Sequence, residues 1–489
     1  MFKVNDFKNY SNEDKTGLIL LIIGIIFLLI TTYIGLTQIG LWYDELYSIA
    51  FAQLNKADMI FFGTKDVHPL LYYVIFKAFV KIFAFLDVAL VGRIVSLIPV
   101  YLIGILTITK VKKNFGLLTA GLFFLCITSM PQLMIYNVEI RMYSWGLFFV
   151  TASFIYMYDI IKNPNLKAWV ILTILTICSA YTHYYSGIAS FGIYLVLLIY
   201  FIKNNKNQLK YWFSSAVISF LSFVPWIFVI LGQIQVQGDY WIAPITVNTL
   251  ISYVYFVLSP ASIFIKSNEL LQPTILGSIM LLIFLYLIYK VKDEFAMKGI
   301  IITLIVPVIG VLISIAYHPF FHQRFIIPVL GCLWLSFSIM LAKLYENKKV
   351  FYVILSIVLI VGIVGSVYFI NIQTQDAIDT QTEINSLNKV VGSGNIIIHD
   401  FFPTYFENQG YLLKNNHHVC NLDNISANII ILLNDPGIKG EIASGSQFYY
   451  IDGGFSNITE LDSAGIKYHE VPFEQTIKNN TFKIYKIEV

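Results

Sequence analysis

Apolar runs about twenty residues long recur through the first 370 positions, separated by short polar connections. A helix rises 1.5 Å per residue, so about 20 such residues cross a hydrocarbon layer about 30 Å thick. The pattern predicts spans at 17–36, 89–109, 116–134, 142–161, 168–182, 187–202, 211–231, 273–289, 299–317, 325–342 and 350–370, about eleven in all. The first run is too long for the apolar stretch of a signal peptide and lacks a small-residue cleavage site, so it is expected to be retained.

Lysines give these spans a direction. They cluster at Lys110, Lys112 and Lys113, at Lys162 and Lys167, at Lys203, Lys206 and Lys210, at Lys290, Lys292 and Lys298, and at Lys343, Lys348 and Lys349. Every second connection is therefore basic. By the positive-inside rule those connections and the N-terminus, with Lys3, Lys8 and Lys15, face the cytoplasm. A crossing at Leu70–Phe85 would invert every later basic loop. That run is short and carries Lys77 and Lys81 one helical turn apart, as a helix lying on the outer surface would. Residues 249–266 are a second candidate of this kind.

Beyond the last span the pattern changes. Residues 395–399, 428–433, 448–451, 467–471 and 482–487 are short or alternating apolar runs expected to form strands. Residues 377–391 and 402–415 are expected to form helices between them. The chain is thus expected to be mostly α, a polytopic helical bundle over 1–372 with outer interfacial helices. A small extracytoplasmic α/β domain is expected over 373–489.

Composition sharpens the class. Of 489 residues, 57% are hydrophobic and 12% charged, and the net charge of +3 offers no patch for nucleic acid. Four cysteines, Cys126, Cys178, Cys332 and Cys420, form neither a disulfide framework nor a Cys/His metal spacing. Walker and GxGxxG loops are missing, as are paired broken helices of the transporter type. Asn424, Asn457 and Asn479–Asn480 match glycan sequons, which chance explains in so Asn-rich a tail.

Six unusual polar motifs all fall on the outer side of this topology: Asp44-Glu45, Asp66-Val67-His68-Pro69, Asn137–Tyr143, Tyr181–Tyr185, Gln237–Trp241 and His318–Arg324. Carboxylates at a membrane face are costly unless they act. Asp44 and Glu45, among Trp42, Tyr43 and Tyr47, suit a general base or a cation site beside aromatic rings that fit sugar faces. They equally suit an acidic helix end. His68 can donate to a phosphate, ligate a metal or shuttle a proton. Asp66 before Pro69 is also at home as a turn or helix cap. A divalent ion held by Asp44, Glu45, Asp66 and His68 is open. Arg141, between Glu139 and Tyr143, matches the oxygens of a phosphate or pairs with Glu139. His183 stands between aromatics as a substrate contact or a packed ring. His318, His322 and Arg324 are the densest late cluster of donors, and Arg324 there can neutralise a phosphate leaving group.

The order of these motifs resembles the GT-C membrane glycosyltransferases, nearest the protein mannosyltransferase and aminoarabinose transferase branch (glycosyltransferase family 39-like). An acidic pair in the first outer loop is followed by His68-Pro69-Leu70-Leu71-Tyr72-Tyr73 opening an amphipathic helix, then by Arg141-Met142-Tyr143. The likeness covers roughly 1–370, is most specific over Leu41–Tyr73 and Asn137–Tyr143, and departs at Pro69-Leu70, where many relatives carry Pro-Pro. It implies transfer of a sugar from a polyprenyl-phosphate donor to an acceptor outside the cytoplasm, in a multi-pass protein of the cell membrane. It makes Asp44 the catalytic or acceptor-orienting carboxylate with Glu45 beside it. It sets His68, where the family places a basic residue, and Arg324 at the donor phosphate; Arg141 and His322 are further candidates for the phosphate, and Trp42, Tyr43, Asp66, Tyr72, Tyr143, His183 and His318 for the substrates. The sugar and the acceptor stay open. A flippase or transporter of lipid-linked sugars, or a non-catalytic assembly protein of the envelope, is the alternative.

Overall fold

In the computed structural model the described residues are 10–235, 242, 244–260, 271–399, 415–419, 425–453, 458–463, 465–473 and 482–488. The chain divides into two compact units. One comprises Met1–Leu36 with Asn55–Ile370, and the other comprises Thr37–Leu54 with Asn371–Val489.

The first unit is helical. Its elements are α1 (Asn12–Thr37), α3 (Lys56–Gly63), α4 (Leu71–Ile82), α5 (Val88–Leu106), α6 (Lys112–Ser129), α7 (Pro131–Tyr136) and α8 (Tyr143–Lys162). Then come α9 (Leu166–Thr182), α10 (Tyr184–Asn204), α11 (Leu209–Gln235), α12 (Val247–Leu258), α13 (Leu271–Val291), α14 (Glu294–Ala316) and α15 (Leu330–Lys343). The helix α2 (Tyr43–Gln53) belongs to the second unit, and α16 (Lys348–Val391) contributes to both.

Among the described residues nine helices are long and apolar enough to cross a membrane, which makes this a multi-pass membrane protein. The expected total of about eleven is not reached by that measure. Val88–Ser129 counts once, although a π turn at Thr107–Val111 and Gly116 at φ 88° interrupt it, and α9, at 17 residues, is not counted. Helix α4, at 12 residues, spans about 18 Å and is too short to cross. It buries Tyr72, Tyr73 and Phe76 and exposes Lys81 and Ile82. Glycines set one close helix crossing: a Cβ at Gly121 would lie 2.1 Å from the Gly17 carbonyl oxygen, so α1 and α6 meet backbone to backbone.

The second unit is built on a five-stranded sheet. Its strands are β1 (Ile396–His399), β2 (Asn416–Val419), β3 (Phe448–Asp452), β4 (Tyr468–Glu470) and β5 (Lys483–Ile487), in the order β2-β1-β3-β5-β4. Strand β1 runs parallel to β2 and β3, whereas β5 is antiparallel to β3 and to β4. Leu387 and Val391 of α16 pack on one face with Ile397, Tyr449, Ile451 and Ile484. The other face, with Ile396, Ile398, Phe448 and Tyr450, carries Ile429, Ile438 and Leu461 from α17 (Ile425–Asn434), α18 (Pro436–Ala443) and α19 (Glu460–Ser463).

This is the expected α/β module with one correction. Residues 428–433, read as a strand, lie in α17. Five consecutive aliphatics have no period of their own. Here Ile429 is buried, Leu432 and Leu433 pack beside it, and Ile430 is 41% exposed, which is helical spacing. Strand β2 was not anticipated, and the helix expected at 402–415 lies almost wholly outside the described residues.

Candidate functional site

Four breaks between helices of the first unit carry the polar motifs and bring them together. At the α3–α4 break Asp66 turns the chain, its Oδ1 accepting the Val67 N–H at 2.8 Å. The loop is tied to α11 through Gln233, whose Nε2 donates to the carbonyls of Asp66 and of Thr64 (3.4 Å). Gln233 in turn accepts from Tyr184 Oη at 2.7 Å, and Tyr184 accepts from Trp226 Nε1 at 3.1 Å. At the α7–α8 break Arg93 of α5 donates to the Val138 carbonyl at 3.0 Å and so fixes the segment that presents Arg141. The α9–α10 break is the single extended residue His183. Before α15, a 3-10 turn over Gln323–Val329 presents Arg324 and Phe325.

Asp66 and Arg141 are joined by one hydroxyl. Tyr73 Oη donates to Asp66 Oδ2 at 3.1 Å and accepts from Arg141 Nη1 at 3.2 Å, and all three residues are buried. Beside this relay the His68 and His183 rings stack at 5.3 Å between centroids. His183 also meets Phe325 at 5.2 Å, Tyr143 at 5.7 Å and Tyr185 at 5.8 Å. The Arg324 guanidinium carbon lies 5.8 Å from the Tyr143 ring and 5.9 Å from that of Phe325. Burial, with Arg141, His183 and Arg324 nearby, holds His68 well below its ordinary value; burial and the same two arginines push His183 down to about 3. Both imidazoles are therefore neutral donors. The positive charge beside them is that of the two guanidiniums.

His68, His183, Tyr184, Tyr185 and Phe325 line a cavity of about 800 Å³ that is otherwise mostly apolar, with Phe191, Leu195, Leu198 and Phe220 in its wall. The remaining expected residues of this unit stand nearby or apart. His322 caps the 3-10 turn, its Nδ1 accepting the Arg324 N–H at 3.4 Å, and His318 packs on Phe320 at 5.4 Å. Tyr72 turns toward Ser96 of α5, 3.5 Å away. The motif 237–241 lies outside the described residues. Gln233 and Phe325 had no motif to mark them in a chain that is 16% aromatic, and Tyr73 and Tyr185 lie inside quoted motifs without having been given a role of their own.

Asp44, Glu45, Trp42 and Tyr43 belong to the second unit. The acidic pair occupies the first turn of α2 rather than a loop, where carboxylates suit the positive end of the helix dipole. Glu45 is 2% exposed and accepts the Trp42 N–H at 3.4 Å, while Asp44, Trp42 and Tyr43 are half-buried. Within this unit Glu45 neighbours Asp376 of α16, whose carboxyl is raised by burial and by the charges of Asp379 and Glu45. Among the described residues no group of three or more His, Cys, Asp or Glu side chains is placed to hold a metal ion.

No family model and no curated protein matches the chain. Solved structures do. ArnT from Cupriavidus metallidurans bound to undecaprenyl phosphate superposes at a TM-score of 0.58 and 10% identity, over 95% of this chain and 97% of that one. The chain has the GT-C fold. The oligosaccharyltransferase of Archaeoglobus fulgidus, in complex with Zn and sulfate, matches less well, at a TM-score of 0.41 and 11% identity over 88% of this chain and 67% of its own. The ArnT match runs through both units, so the α/β module is part of the shared architecture.

Proposed function

We propose that this protein is a membrane glycosyltransferase that moves a sugar from a polyprenyl-phosphate donor to an acceptor on the extracytoplasmic side. The observation that carries the reading is the meeting of two buried guanidiniums, Arg141 and Arg324, and two neutral imidazoles beside an apolar cavity. A lipid phosphate needs both halves of that arrangement: an apolar wall for the prenyl chain and fixed donors for its anion. The GT-C fold supports the reading, since ArnT was crystallised bound to undecaprenyl phosphate.

In the reaction an acceptor oxygen attacks the anomeric carbon, and the bond from that carbon to the phosphate oxygen breaks. The electron pair stays on the phosphate, where Arg324 and Arg141 neutralise the developing charge and His68 donates a hydrogen bond. Arg141 is held for this by Tyr73 and Asp66. To Asp44 we assign, from its sequence motif, the carboxylate that takes or orients the acceptor proton.

Purified protein given a polyprenyl-phospho-sugar and an acceptor, with no nucleotide, should release polyprenyl phosphate. Arg324→Ala and Asp44→Asn should each abolish release while still inserting in the membrane. Full release by Asp44→Asn would remove Asp44 from the chemistry. Movement of the intact lipid between leaflets without any release would overturn the transferase reading in favour of a flippase.

A further inference from the structure

His183 has one ring nitrogen occupied and the other without a partner among the described residues. As N-cap of α10 it accepts the Tyr185 N–H on Nδ1 at 3.2 Å, so in the neutral ring the single proton sits on Nε2. Only 1% of the residue is exposed, and among the described residues Nε2 meets no hydrogen-bond partner. A buried N–H is seldom left without an acceptor. The ring is fixed by His68 stacked on it at 5.3 Å and by Phe325, Tyr143 and Tyr185 around it, and it lines the apolar cavity. The charged groups acting on it are the guanidiniums of Arg141 and Arg324, and its titratable neighbours are His68, Tyr143 and Tyr185. Two cations and the N-terminus of a 21-residue helix attract an anion and disfavour a third cation.

We infer that His183, fixed as the Nε2–H tautomer, donates a hydrogen bond to a non-bridging oxygen of a phosphate ester held beside Arg141 and Arg324. The inference rests on the lipid-phosphate reading above and adds to it an uncharged donor, held by the backbone of the helix it caps. Because the contact is neutral, its strength does not depend on pH across the range in which histidines ordinarily titrate.

The test uses the full chain in nanodiscs, with a polyprenyl monophosphate, the corresponding polyprenol and inorganic phosphate as probes. His183→Phe keeps an aromatic ring without a donor and should weaken binding of the lipid phosphate about tenfold or more. His183→Gln, whose amide nitrogen reaches the Nε2 position, should stay within about threefold of wild type on the same grounds. Polyprenol binding should be unchanged in both. The ratio of wild-type to His183→Phe affinity, in which the titration of the phosphate itself cancels, should be constant from about pH 6 to 8. Where His183→Phe does not fold, His183→Asn, whose amide reaches only the Nδ1 position, replaces it.

Wild-type affinity for the lipid phosphate in His183→Phe would overturn the contact and leave the transferase reading intact. A ratio that grows as pH falls would overturn the neutral donor in favour of a cation. Equal binding of inorganic phosphate, with the same loss in His183→Phe, would keep the contact, assign it to a free anion and overturn the lipid-donor reading. Binding of neither phosphate by the wild type would overturn both.

Discussion

Removing one oxygen atom tests whether the Asp66–Tyr73–Arg141 relay holds Arg141 for its task. Tyr73 is fully buried, so Tyr73→Phe changes no surface and leaves only an atom-sized gap. It deletes the hydrogen bonds at 3.1 Å to the Asp66 carboxylate and at 3.2 Å from the Arg141 guanidinium. Hydrogen bonds to charged groups contribute about 1.5–3 kcal/mol each. Both distances are at the long end of the usual range, so the lower figure applies, and the pair is worth roughly 3 kcal/mol. If half of that is expressed as misplacement of Arg141, the KM for the donor lipid should rise about tenfold, with kcat falling less. The decisive assay is a double-mutant cycle of Tyr73→Phe with Asp66→Asn, read as donor-lipid kinetics and as thermal stability in one detergent. Residues sharing a hydrogen bond should show a coupling of about 1 kcal/mol or more. Additivity within about 0.5 kcal/mol would refute the relay.

Acid should destabilise the first unit through its histidines. His183 falls from 6.5 in the unfolded chain to about 3 when folded, so its contribution is present above pH 6.5 and lost as pH falls. That loss is about 2 kcal/mol at pH 5, and the drop in thermal midpoint between pH 7.5 and 5 should shrink in a His68→Gln, His183→Gln double variant. An unchanged drop would show that these rings are protonated in the fold. Gly121→Leu should disrupt the α1–α6 crossing, because the Cβ alone falls 2.1 Å from the Gly17 carbonyl oxygen; a loss of about 3 kcal/mol or more is expected, read as early melting or aggregation on size exclusion. Arg324→Lys keeps the charge but not the planar fork and should lower kcat/KM for the donor by about tenfold or more, while Lys-level and wild-type activity alike would mean that only charge matters at that position.

Much of the architecture was legible because bilayer thickness imposes a length on apolar runs, and α4 because 12 residues are too few and its lysines share a face. Residues 428–433 failed for the complementary reason: five aliphatics in a row satisfy a buried strand and a buried helix equally, and only the packing of Ile429 on the sheet decides. Of the site, the ionic residues were visible because charge in so apolar a chain is conspicuous, and four of the motifs do meet. What sequence could not convey is how they are held. Tyr73 is one of 32 tyrosines, yet its hydroxyl bonds both Asp66 and Arg141. His68 looks basic in its motif, but a buried ring beside two guanidiniums gives up its proton, so the same residue is held as a neutral ring. For His183 the decisive contact comes from a backbone N–H two residues on, which fixes the tautomer and turns Nε2–H into an available donor. The chemistry of this pocket therefore depends less on how many cations it gathers than on which protons its neutral groups are made to keep.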